Sequence, residues 1–121
     1  MKHLYTFENY STEEISQIKN RNVELFKSKL PALDIIFNGK DKRTFEPDVR
    51  LVKNNMDNDY LTIDYAEYIV IKIYDGKIKL DKKSFITIST DQGHVLKKAL
   101  KDISNYIHFN IEDFDLKSLI S

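Results

Sequence analysis

Apolar and polar positions alternate most regularly between Tyr68 and Leu80, in the stretch YIVIKIYDGKIKL. Two alternating runs flank Asp75-Gly76, a dipeptide that favours a two-residue type I′ hairpin turn. Such a turn sets the register. Tyr74 then faces Lys77, Ile73 faces Ile78, Lys72 faces Lys79, and Ile71 faces Leu80. One face of the hairpin carries Ile69, Ile71, Ile73, Ile78 and Leu80 and reads as a core face. The other carries Tyr68, Val70, Lys72, Tyr74, Lys77 and Lys79 and is basic and aromatic.

The pattern continues on both sides of the hairpin. Leu61, Ile63 and Tyr65 alternate with Thr62 and Asp64, which predicts a strand; Val49, Leu51 and Val52 begin another. Phe85 to Ser89 alternates again, with Ile86 and Ile88 pointing as the hairpin isoleucines do and Phe85 and Thr87 joining the Tyr/Lys face. The polar runs 38–48 and 54–59 read as a loop and a turn.

Helical periodicity brackets this strand region. Ser11 followed by Glu14 makes a capping box, with Tyr10 and Ile15 at the staple positions. A helix from there presents Ile15, Ile18, Leu25 and Phe26 and ends near Lys29 or Leu30, because Pro31 disfavours helical geometry before it. A short apolar segment, Ala32 to Phe37, follows and stops at Asn38-Gly39. A second helix starts after Ser89, with Gln92 completing a capping box and Leu96, Ala99, Leu100, Ile103, Tyr106 and Ile107 as its apolar stripe.

The order of elements therefore predicts one α+β domain over residues 1–121, with a mainly antiparallel sheet of four to five strands and an N-terminal and a C-terminal helix packed on it. Residues 1–10 read as an arm or short strand. Residues 111–121 read as an acidic-apolar tail in which Phe114, Leu116 and Ile120 fold back on the domain. The second helix should cover the isoleucine face. Two placements of the first stay open: beside the second helix, or over the Tyr/Lys face.

Composition narrows the chemistry. With 19 basic and 19 acidic residues the chain is neutral, which counts against a nucleic-acid coat, and only Arg21, Arg43 and Arg50 offer a bidentate guanidinium. The absence of cysteine excludes disulfides, thiolate zinc sites and a cysteine nucleophile, and it fits a reducing compartment. No run approaches the roughly 18 apolar residues of a membrane span, and the N-terminus lacks a signal-peptide core, so a cytoplasmic location is expected. Richness in Ile, Lys, Asn and Asp is the composition of an AT-rich genome, such as a low-GC bacterium or its phage.

Candidate catalytic sets are incomplete. Glu46-Pro47-Asp48 with Lys72 resembles in part the PD…(D/E)xK arrangement of restriction-type nucleases, but Val70 stands where an acidic metal ligand is required. Asp57 and Asp59 lack the third ligand and the glycine of a calcium loop. His3, His94 and His108 form no metal pair, and three glycines make no phosphate-cradling loop. No cofactor, metal or catalytic residue is expected.

The expected function is that of a small non-enzymatic binding protein, an accessory or inhibitory factor of phage or mobile-element type that engages a protein partner. Its expected binding residues are Tyr68, Lys72, Tyr74, Lys77, Lys79 and Phe85. The alternative is single-stranded nucleic-acid binding by the same residues, whose rings stack bases and whose lysines neutralise phosphates. A divergent metal-dependent nuclease is the third reading.

Overall fold

The computed structural model describes residues 23–52, 60–74 and 76–121. The predicted Ser11/Glu14 cap, the N-terminal arm, the turn at 54–59 and Asp75 lie outside the described residues. Residues 23–29 are helical and are called α1 below. The helix stops just before Leu30 and Pro31, as the proline demands.

Among the described residues seven strands follow, more than the four or five expected. They are β1 (Leu33–Phe37), β2 (Asp41–Phe45), β3 (Asp48–Val52), β4 (Tyr60–Tyr65), β5 (Ile69–Tyr74), β6 (Lys77–Lys82) and β7 (Ile86–Ile88). They form two antiparallel sheets, ordered β2-β1-β7 and β3-β4-β5-β6. Two of the additions come from segments whose pattern did not announce a strand. The Ala32 to Phe37 run supplies β1. The polar segment read as a loop supplies β2, after Asn38 and Gly39 turn the chain with φ of 53° and 71° and the Lys40 N–H donates to the Phe37 carbonyl at 2.9 Å. β2 is exposed over four of its five residues, so it needs no apolar alternation; its pairing with β1 suffices.

The hairpin register is the predicted one. Tyr74 faces Lys77, Ile73 faces Ile78, Lys72 faces Lys79 and Ile71 faces Leu80. Gly76 has φ +72°, a conformation that glycine holds without steric cost. Ile69, Ile71, Ile73 and Ile78 are buried, and Ile86 and Ile88 join them in one core cluster.

After β7 come α2 (Thr90–Ile103), a 3-10 turn (Ile111–Asp113) and α3 (Leu116–Ile120). Ser89 caps α2, its Oγ accepting from the Gln92 N–H at 3.2 Å. The Gln92 side chain departs from the expected reciprocal cap: its Oε1 accepts from the Asp34 N–H of β1 at 2.7 Å and ties the helix start to the sheet. Leu96, Ala99, Leu100 and Ile103 face the core as predicted. The helix ends before Tyr106, which is half exposed and sits 6.1 Å from the buried Phe26 ring of α1.

That contact decides where α1 stands. Phe26 and Leu30 belong to the same core cluster as the isoleucines and the α2 stripe. The hydroxyl of buried Tyr65 donates to the Pro31 carbonyl at 2.9 Å. The described part of α1 therefore lies on the isoleucine side, beside the end of α2. The tail docks on its own domain: Phe109, Phe114 and Leu119 are buried, and Asn110 donates from its backbone to the Gly76 carbonyl at 2.9 Å.

Candidate functional site

The outward face of the β3–β6 sheet is built by register. Side chains two apart on a strand share a face, and paired residues lie side by side across strands. Three rows result. Val52, Tyr60, Tyr74 and Lys77 form the first. Arg50, Thr62, Lys72 and Lys79 form the second, and Asp48, Asp64, Val70 and Asp81 the third. An aromatic row, a basic row and an acidic row thus run across the strands. The hairpin taken alone reads as basic; its neighbours β3 and β4, and Asp81 at the far end of β6, add the acids.

Contacts hold the rows in place. Tyr60 and Tyr74 meet edge-on with centroids 6.2 Å apart, and Lys72 Nζ lies 5.9 Å from the Tyr60 ring centre. Arg50 reaches Asp48 at 3.4 Å and Asp64 at 3.9 Å. Thr62, at the centre of the face, is buried. Lys77 and Lys79 are exposed, whereas Lys72, Tyr68 and Tyr74 are half-buried.

Tyr68 and Phe85 belong to a separate corner. Tyr68 packs 4.9 Å from Phe37, 5.5 Å from Phe45 and 6.0 Å from Phe85, centroid to centroid. Phe37 in turn lies 6.2 Å from Phe45 and 6.3 Å from Phe85. Arg43 stands over the Phe37 ring at 5.6 Å, a cation–π distance. This nest joins the β1–β2 hairpin to the start of β5, and its Phe85 is 43% exposed. The Asn38 N–H donates to the Phe85 carbonyl at 2.8 Å, and the Lys83 N–H to the Tyr68 carbonyl at 3.0 Å.

Between nest and rows lies a cleft of about 240 Å³ with Tyr68, Val70, Lys72, Asp81 and Lys83 in its lining. Lys82, also in the lining, donates from Nζ to the Ile86 carbonyl at 2.6 Å. The turn at its rim is strained: Ala66 and Glu67 have φ of 56° and 67°, where side chains other than glycine's are disfavoured. Asp64 stabilises that turn by accepting from the Glu67 N–H.

The six expected binding residues are therefore split. Tyr74 and Lys77 share the aromatic row, Lys72 and Lys79 the basic row, and Tyr68 with Phe85 the corner. Sequence reasoning missed Phe37, Arg43, Phe45 and Tyr60 as members of this surface. The Asn38-Gly39 dipeptide, itself a hairpin signal, was the clue to the first three.

The members of the partial nuclease motif fall in two adjacent rows, with Val70 beside Asp64 at the position where an acidic ligand is required. Lys72 pairs with Thr62, while Asp48 faces Asp64 one row away and Arg50 sits beside both carboxylates. No group of three potential metal ligands occurs among the described residues. No helix among them is long and apolar enough to cross a membrane. One phenol is perturbed: burial, with a smaller contribution from the Glu46 charge, holds Tyr65 well above the ordinary tyrosine range.

No family model matches the chain, and no solved structure matches it. The chain is similar to the R-phycoerythrin subunit beta of Prochlorococcus marinus subsp. pastoris, with 28% identity in an alignment 101 residues long that covers 76% of this chain. The match spans 58% of that protein's length.

Proposed function

We propose that this protein is a non-enzymatic binding factor, accessory or inhibitory in action, that works by occupying a protein partner. The observation that carries the reading is the outward face of β3–β6. Aromatic, basic and acidic rows lie side by side there, next to an aromatic corner. A surface of both signs with aromatic anchors suits another protein, where complementary charges set register and aromatic side chains supply binding energy. The cysteine-free, Ile- and Lys-rich composition supports an origin in a phage or mobile element acting in the cytoplasm.

The test is capture from a lysate of the cells that encode the protein, with nuclease added. The expected result is a complex that survives nuclease and weakens about tenfold or more when Lys72→Glu and Tyr74→Ala are combined. The exposed control Lys98→Glu should bind as wild type. Release by nuclease, or equal capture by the double variant, would refute the reading.

Single-stranded nucleic acid is the second reading, favoured by Tyr60 and Tyr74 standing beside Lys72 and Lys77. It predicts oligonucleotide affinity that falls steeply with salt. The acidic row works against it by repelling phosphates.

A further inference from the structure

Charge on the outward face of β3–β6 is sorted by row. The basic row holds Arg50, Lys72 and Lys79, and the acidic row, one step along the strands, holds Asp48, Asp64 and Asp81. Each row also has one small uncharged position. Thr62 stands between Arg50 and Lys72, and Val70 stands between Asp64 and Asp81. The two gaps lie on neighbouring strands, Thr62 on β4 and Val70 on β5. The outer-strand charges Asp48, Arg50, Lys79 and Asp81 are exposed. Among the described residues, the buried side chains of α1, α2 and α3 belong to the core on the other side of the sheet.

Such a face is complementary to itself. Two copies can meet under a twofold axis lying between them. An axis along the strands sets cations on cations. An axis across the strands, midway between the basic and acidic rows, sets each row on the opposite row of the second copy. Arg50 then meets Asp48 of the second copy, and Lys79 meets its Asp81. Lys72 comes over the other Val70, between two acids, and Asp64 comes over the other Thr62, between two cations. In the outer rows Tyr74 comes opposite Tyr68, which lies beside Lys83 through the hydrogen bond from the Lys83 N–H. Lys77 opposite Lys83 is a like-charge pair, but both lysines are exposed at the rim, where salt and water screen them. No other setting of the axis between neighbouring rows matches both charged rows.

We propose that this face joins two copies of the chain, with the basic row of each on the acidic row of the other. Four strands about 4.8 Å apart and rows about 6.8 Å apart make a patch roughly 20 Å across. That is the low end of interface sizes, so the dimer is weak and charge sets its register. The inference deepens the protein-binding reading of this face and rests on it. It names a second copy as one partner, and any other protein that binds here competes with self-association.

The test is analytical ultracentrifugation of the full chain at about 0.1 mM, where an association of this weakness is measurable. The expected result is a dimer at low ionic strength that dissociates as salt rises. Lys79→Glu and Asp81→Lys each set like charges opposite one another and should weaken self-association about tenfold or more. An equal mixture of the two variants should restore it, because one then brings two anions to the other's two cations. The exposed α2 pair Lys98→Glu and Asp102→Lys makes the same changes in net charge. Each of these should dimerise as wild type, and mixing them should add nothing. A monomer at every salt concentration, a dimer indifferent to Lys79→Glu and Asp81→Lys, or no recovery in their mixture would overturn the proposal. Capture of a cellular protein by a chain that stays monomeric would sink this inference alone. Loss of that capture alongside a charge-dependent dimer would sink the accessory-factor reading alone.

Discussion

Tyr65 shows how much a single side chain carries. It lies on the same strand face as Leu61 and Ile63, yet its hydroxyl reaches across to the Pro31 carbonyl at 2.9 Å. Burial favours the neutral phenol, so the folded pKa lies above the unfolded one. The resulting stability is complete below the ordinary tyrosine value of about 10 and is lost as pH rises from there toward the folded value. Tyr65→Phe removes the hydrogen bond and leaves a partly buried carbonyl without its protein partner, at a cost of about 1 kcal/mol at neutral pH. It also removes the titration. Urea midpoints should therefore be lower for the variant at pH 7, and the gap to wild type should narrow above about pH 10.

At the scale of elements, Gly93 governs how the C-terminal helix sits. A Cβ there would stand 2.7 Å from Ile120 Cγ2 and 2.8 Å from Leu116 Cδ1. Glycine in a helix interior weakens the helix by roughly 1 kcal/mol relative to alanine. Here that cost permits α3 to lie against α2. Gly93→Val adds a branched side chain into the contact, and overpacking of this kind costs about 1–3 kcal/mol. The expected outcome is a lower urea midpoint together with faster amide exchange across Leu116–Ile120, while the β5–β6 ladder stays protected. Uniform loss of protection would show instead that α3 unfolds only with the whole domain.

At the scale of the molecule, Phe114 of the tail is part of the core and Phe85 is not. Phe114 is 5% exposed and Phe85 is 43% exposed. Phe114→Ala should cost about 3–5 kcal/mol, as for a buried ring. Phe85→Ala should cost well under half of that and retain a native spectrum. Thermal denaturation of the two variants side by side checks the contrast; equal losses would mean that the nest is structural rather than available to a partner.

Legibility followed the same scales. The hairpin register, the Ser89 cap and the buried isoleucines were readable because turn chemistry and period-two burial are local. β2 was not, because an exposed edge strand carries no alternation and takes its order from β1. The site was half legible. Tyr68, Lys72, Tyr74, Lys77, Lys79 and Phe85 were placed on one face by alternation, but alternation does not say which strands become neighbours. Pairing of β3 with β4 added Arg50 and the acids, and the Asn38-Gly39 turn brought Phe37, Arg43 and Phe45 to Tyr68.

The amino-acid sequence by itself determined the α+β class, the Tyr74–Lys77 hairpin and the inward set of isoleucines. Each follows from steric and solvation preferences acting within a few residues. Tertiary structure alone decided that seven strands split into two sheets, that α1 lies beside the end of α2, and that Phe85 belongs to an aromatic corner. Those outcomes depend on contacts between segments far apart in the chain, such as Gln92 with Asp34 and Phe26 with Tyr106. No local pattern encodes which distant surfaces meet; mutual burial of the whole apolar set selects them.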